Sequence, residues 1–359
     1  MERKILTRMG DGARVTMPEA QVKEELLAGM KDATHKGKVP ELTSSELELL
    51  FEIIADRNRV VSVEPGEEVV LTDDASCVRF IADEGAAGGV GIPISRLQAV
   101  LVHERCYAQD SVQFQVPFGS GGNVQRIKEK ISIDMQVHET ASLLTTIPIF
   151  YEFCPALLWY FRPNGPYDNP AELLPQGKIR ESRKASEQAV DRLTEDAVYI
   201  GKQMYSIGCD GLNFDTSASS GDAEFYSNLE TVSRLKQAAP NMAIEMGMSN
   251  EFIIGVHGEM TYDGKRLAGM FPHQQLKVAE TAGVDIFGPV INTNCSRSFP
   301  WNLARAVTFV KETVSVSNIP IHVNAGMGVC GVPMHPTPPI DCVSRVTKAM
   351  VQIAKIDGL

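Results

Sequence analysis

From about residue 111 onward the chain alternates strand-type and helix-type segments six times, and this rhythm restricts the fold more than any other feature. The spacing predicts strand 111–116 with helix 123–144, strand 147–153 with helix 179–206, and strand 211–216 with helix 222–238. It continues with strand 243–248 and helix 273–282, strand 284–290 and helix 301–316, and strand 319–323 and helix 341–354. Such alternation implies parallel strands joined by right-handed crossovers, with helices covering the sheet. An open doubly wound sheet and a (β/α)8 barrel both accommodate it. The barrel fits better, because no dinucleotide fingerprint follows the first strand and long polar loops follow the strand ends.

The final stretch runs from an apolar segment, 319–323, through a glycine loop at Gly326, Gly328 and Gly331, into a helix introduced by Pro338, Pro339 and Asp341. It ends in Asp357-Gly358-Leu359, which reads like the strand starts at Cys209-Asp210-Gly211-Leu212 and Gly283-Val284-Asp285-Ile286. The expectation is therefore an incomplete (β/α)8 TIM-type barrel of about six βα units over 111–359, stopping where another strand begins and leaving two bare edges. Residues 1–110 do not repeat in this way. Helices are expected at 21–33 and 44–54, the second capped by Thr43 or Ser44, and short strands at 60–63, 67–71 and 78–81, together an N-terminal α+β cap.

Composition narrows the function classes. A formal net charge of -11 disfavours nucleic acid and anionic membrane surfaces as partners. No apolar run is long enough to span a bilayer, and MERKILTRMGDG lacks the apolar segment of a signal peptide, so the expected location is the cytoplasm. Seven cysteines (77, 106, 154, 209, 295, 330, 342) are scattered without CxxC spacing, which reads as reduced thiols. No metal site is expected: the seven histidines offer no HExxH, and His103-Glu104-Arg105-Cys106 reads as a structural helix segment.

In a barrel, reacting groups come from the C-terminal ends of strands and the loops beyond them. Those positions hold Tyr151 and Glu152; Asn213, Asp215 and Thr216; Glu245; Asn292 and Asn294; and His322 and Asn324. Carboxylates there suit general acid and base work, since a desolvating pocket raises their pKa toward working pH. Each residue alone could equally cap a loop or helix. His273 could cap the helix it opens or face the loops. The glycine stretches 85–91, 119–122 and 326–331 read as tight turns, and Met246, Met248, Met327 and Met334 as core packing.

Several stretches resemble one family. They are Arg8-Met9-Gly10-Asp11-Gly12, Gly89-Val90-Gly91-Ile92-Pro93, Asp210-Gly211-Leu212-Asn213-Phe214-Asp215-Thr216, Pro272-His273-Gln274-Gln275, Phe287-Gly288-Pro289-Val290 with Asn292-Thr293-Asn294, Trp301-Asn302-Leu303-Ala304-Arg305, and Thr337-Pro338-Pro339-Ile340-Asp341. Together they are similar to the dimethylamine:corrinoid protein methyltransferases of methanogenic archaea, over the whole chain. The resemblance implies pyrrolysine, encoded by an in-frame UAG, immediately after Leu359, and then roughly a further hundred residues that complete the barrel. It implies a cytoplasmic enzyme, tending to homo-oligomers, that binds no cofactor itself. The enzyme would move a methyl group from dimethylamine to the cobalt(I) of a corrinoid carried by a partner protein. Asp215 and Glu245 are the expected acid and base, and Asn292, Asn294 and His322 the residues expected to orient the amine. The alternative is an inactive chain that docks the corrinoid protein without turnover.

Overall fold

The computed structural model describes residues 3–71, 109–112, 149–150, 155–255, 257–326, 328–335 and 338–359. Strand 78–81, helix 123–144, Tyr151, Glu152, Met327, the His103 segment, the glycine stretches 85–91 and 119–122 and the 89–93 motif lie outside the described residues.

The chain begins with an antiparallel hairpin of β1 (Lys4–Arg8) and β2 (Arg14–Pro18). Helices α1 (Glu19–Gly37) and α2 (Ser44–Ala55) follow. Thr43 starts α2 through a capping box: Thr43 Oγ1 accepts from Glu46 N at 3.3 Å, and Glu46 Oε2 accepts from Thr43 N at 2.8 Å. The expected strand at 60–63 is absent; Val61 and Val63 are buried but irregular, and Val61 N donates to Ser344 Oγ at 3.3 Å.

Next come β3 (Val69–Leu71), β4 (Gln109–Val112) and β5 (Ile149–Phe150). Five helices and three strands follow: α3 (Ile179–Ser206), β6 (Gly211–Ser217), α4 (Asp222–Ala238), β7 (Ala243–Met248), α5 (Pro272–Ala282), β8 (Ile286–Gly288), α6 (Phe299–Val316) and α7 (Ile340–Ala349). These bounds follow the periodicity in the sequence closely. The last helix widens into a π turn over Met350–Ala354.

Parallel pairing links these strands in chain order. β5, β6, β7 and β8 form one four-stranded parallel sheet, with Ile149 opposite Gly211, Asn213 opposite Glu245, and Glu245 opposite Ile286. Parallel bridges carry the series onward from Phe287 to Ile321, from His322 to Gly358 and from Gly358 to Val70. β3 then pairs in parallel with β4.

Two expectations are corrected here. Segment 67–71 does not belong to a small N-terminal sheet, because Val69–Leu71 pairs in parallel with 109–112 and with Gly358, across the position at which the sequence reading divides the chain. Nor is the 319–323 segment left with a bare edge. Val323 N donates to Gly358 O at 3.0 Å, Leu359 N to Val70 O at 2.9 Å and Val70 N to Asp357 O at 3.1 Å, so 357–359 is held on both sides. A three-residue strand is too short to display alternation, which is why β3 was assigned to its neighbours in sequence.

Alternation along each strand separates two faces. Leu212, Phe214, Ile244, Met246, Phe287 and Ile321 point to the helices and are at most 1% exposed. Each side chain of this size contributes about 1.5–3 kcal/mol when fully buried. They pack with Leu229, Val232, Leu235, Val278 and Phe309 in one core. Close approach of α1 to α6 requires Gly29, where a Cβ would overlap the Trp301 carbonyl.

Helix α6 also carries the main buried ion network. Ser298 caps it, accepting from Trp301 N at 3.2 Å, with Pro300 in the first turn. Arg305 donates to both oxygens of Glu251, at 2.6 and 2.5 Å, and to Asp32 Oδ2 at 2.7 Å. Burial alone would push Arg305 down, but the Glu251 and Asp32 carboxylates more than offset it and hold the guanidinium above its ordinary value. The fork ties the loop after β7 to α6 and α1.

Arg305→Leu would leave Glu251 buried without its cation, and a loss of about 3–5 kcal/mol is expected in denaturant unfolding. Lys311→Met, which breaks the half-exposed pair with Glu46, is expected to cost less than about 1 kcal/mol. Equal losses would contradict the assignment of Arg305 as the structural clamp.

Candidate active site

The second face of the parallel set is polar and glycine-rich. Asn213 and Glu245 are register partners on β6 and β7, Glu245 and Gly247 pair with Ile286 and Gly288 on β8, and His322 pairs with Gly358. Side chains at alternate positions share a face, so Asn213, Glu245, Gly247, Gly288, His322 and Gly358 stand together opposite the helix-facing core. Glycine at three of these positions lets neighbouring groups approach closely. A Cβ at Gly247 would meet Asp215 Oδ1 at 3.1 Å, and one at Gly358 would meet the His322 ring at 2.8 Å.

The central contact joins Glu245 to His322: the imidazole Nδ1 hydrogen-bonds Glu245 Oε1. Glu245 is 5% exposed and the His322 side chain 12%. A carboxylate that holds one ring nitrogen fixes the orientation of the imidazole, as acid and base groups in enzymes require.

Asn213, one register step across from Glu245, is 6% exposed, and its Oδ1 is buried without a hydrogen-bond partner among the described residues. Leaving an amide oxygen this way costs about 1–3 kcal/mol. Natural cores seldom retain such a group without a purpose.

Asp215 lies further along β6, half-buried beside Gly247. The strand is irregular here: register shifts between Phe214 and Ser217, and Thr216 and Ala218 take positive φ of 52° and 66°. Non-glycine residues in the left-handed region carry strain and are enriched at functional sites. The bulge is held from several sides. Asn228 Nδ2 donates to Ser217 Oγ at 3.0 Å, and Ser249 N and Oγ donate to Ser217 O at 3.0 and 2.9 Å.

Of the expected site residues, the structure thus joins Glu245 and His322 directly and sets Asp215 on the adjoining strand. Asn292 and Asn294 are exposed and build loops instead. Asn292 Oδ1 accepts from Glu251 N at 3.1 Å, and Asn294 Oδ1 accepts from Ser296 N and Oγ at 3.0 and 2.8 Å. Neither hydrogen-bonds Glu245 or His322 among the described residues. Thr216 and Asn324 are exposed, and Gln274 rather than His273 caps α5, accepting from Phe271 N at 3.0 Å.

Asn213 is among the strand-end positions named from the sequence but without a role, and the glycine positions are not, although the alternation Asn213-Phe214-Asp215 and Glu245-Met246-Gly247 carries the signal. Among the described residues no group of three or more His, Cys, Asp or Glu side chains could hold a metal ion. None of their helices is long and apolar enough to cross a membrane. Cys209, Cys295, Cys330 and Cys342 are free thiols, and complete burial pushes Cys330 up to about 12.

A family model described as dimethylamine methyltransferase matches residues 3–359. No solved structure matches the chain.

Replacing the buried amide with a hydrocarbon of similar size tests its role. Asn213→Leu is expected to hold or raise stability, by up to about 1–3 kcal/mol in denaturant unfolding, since it removes an unsatisfied acceptor. A loss of stability would show that the amide is structural.

Proposed function

The chain belongs to the dimethylamine methyltransferase family, and from that premise we propose that it moves a methyl group from dimethylamine to the cobalt(I) corrinoid of a partner protein, in the cytoplasm, during methanogenesis from methylamines. The observation that supports this reading best is the Glu245–His322 pair on a polar, glycine-lined face. We read the eight parallel segments, from Val69–Leu71 to the one beginning at Asp357, as the staves of a (β/α)8 barrel. The second face then becomes the barrel interior.

Dimethylamine is a cation at neutral pH, and Asp215 and Glu245 supply the negative potential that draws it in. Its nitrogen can react only after losing a proton. Glu245 is the acceptor, and His322 orients the carboxylate. Asn213 Oδ1 accepts the remaining N–H of the neutral amine. Trimethylamine has no such hydrogen, so the acceptor would favour the secondary amine.

Pyrrolysine, which the family resemblance implies directly after Leu359, supplies an electrophilic imine when present. The residues around that position fit it. Gly358 faces the His322 ring, and by period-two alternation a residue two places on would share that face with Glu245 and His322, which could then serve the imine as proton donor and acceptor. The reduced corrinoid of the partner supplies the methyl acceptor.

Protein isolated from its source should convert dimethylamine and the reduced corrinoid partner into methylcobalt(III) and one equivalent of methylamine. Fragmentation of the peptide that follows Lys355 should show a pyrrolysine-sized residue after Leu359. Glu245→Gln should lower turnover by about 10²–10⁴-fold with partner binding unchanged. Full activity in that variant would remove Glu245 from the mechanism. Partner binding without any cobalt methylation by the wild type would overturn the enzyme reading.

A further inference from the structure

A cleft of about 530 Å³ opens between the β1–β2 hairpin, the segment after α2 and the first turn of α7. It lies on different elements from the Glu245–His322 site, and nothing in the proposed reaction uses it. Its size is within the range of small-molecule sites. Seven cationic side chains line it against two carboxylates, Asp56 and Asp341, in a chain whose net charge is -11. Cations have been concentrated here against the trend of the whole molecule.

The floor is rigid. Arg345, 7% exposed, donates to four backbone carbonyls: Arg59 O at 3.2 Å and Asp341 O, Asp56 O and Asn58 O at 2.9 Å each. It forms no ion pair among the described residues. Burial pushes its guanidinium below the ordinary value, so a nearby anion would relieve an existing electrostatic penalty. Arg8 is locked by two hydrogen bonds to Asp341, at 2.8 and 2.9 Å, and one to Gly12 O at 2.9 Å. Both guanidinium planes are therefore held in place before any ligand arrives.

The walls are different. Lys4 and Arg14 on the hairpin and Arg57 and Arg59 after α2 are exposed and have no ion-pair partner among the described residues. Helix α7 also begins here, with Asp341 in its first turn offsetting part of the positive end of its dipole. A rigid cationic floor with exposed cationic walls around an open cleft suits a ligand with several negative oxygens. Guanidinium forks match phosphate geometry in particular.

We propose that this cleft binds a small polyanion of the phosphate class. Calorimetric titration of the chain with pyrophosphate at low ionic strength should give saturable binding that weakens as salt is added. The double charge reversal Arg57→Glu with Arg59→Glu should weaken it by at least about tenfold, given the strength of charge-assisted hydrogen bonds. The reversal Lys184→Glu with Lys202→Glu, exposed on α3, changes the net charge equally and should bind as the wild type does. Should the first pair disturb folding, seen as a lower melting temperature without ligand, Arg14→Glu on the opposite wall is expected to show the same loss. No saturable binding by the wild type, or equal weakening by the cleft and α3 reversals, would overturn the proposal.

Discussion

Period-two alternation along a strand is the constraint on which the molecule depends. On one side of the parallel set it places Leu212, Phe214, Ile244, Met246, Phe287 and Ile321 among the helices, all essentially without exposure. On the other side the same rule gathers Asn213, Glu245, His322 and three glycines. A slip of one residue in any of these strands would exchange the two sets, moving core side chains to the polar face and burying Glu245 among hydrocarbon. Packing and chemistry are therefore specified by one register.

The loops add precision that the strands alone do not supply. Arg305 fastens Glu251, and Asn292 holds the Glu251 amide, so the segment leaving β7 is tied at consecutive points close to the Glu245 strand. Glu224 has a comparable role after β6. It is 4% exposed, with Oε2 accepting from Ser219 Oγ and Ser220 N and Oε1 accepting from Leu157 N, so it joins the β6 loop to the segment after β5. Strain at Thr216 and Ala218 persists because these contacts over-determine the bulge.

Much of this was legible in the sequence where elements are long. Helices 179–206 and 222–238 and strand 243–248 have the bounds their periodicity predicts, because ten or more residues average out local noise and a six-residue strand still shows alternation. Short elements were not. Val69–Leu71 offers three apolar residues and no pattern, and its parallel partners lie about forty and nearly three hundred positions away, distances at which local spacing carries no information. The hairpin of Lys4–Arg8 and Arg14–Pro18 was missed because charged residues mask its alternation. For the site, residue type at strand ends named Glu245, His322 and Asp215, of which the structure brings Glu245 and His322 into contact and sets Asp215 on the adjoining strand. The same reading named Asn292 and Asn294, whose side chains hydrogen-bond Glu251 N and Ser296, contacts set by how the backbone turns after β8 and carrying no local signal in the sequence.

A crystal structure determined with dimethylammonium bound would test the central claim most directly. The account predicts the ammonium nitrogen at hydrogen-bond distance, about 3 Å, from the Glu245 carboxylate and from Asn213 Oδ1, on the glycine-lined face beside His322. Density for the amine at Asn292 or Asn294, or elsewhere with the Glu245–His322 face left to solvent at saturating amine, would contradict it.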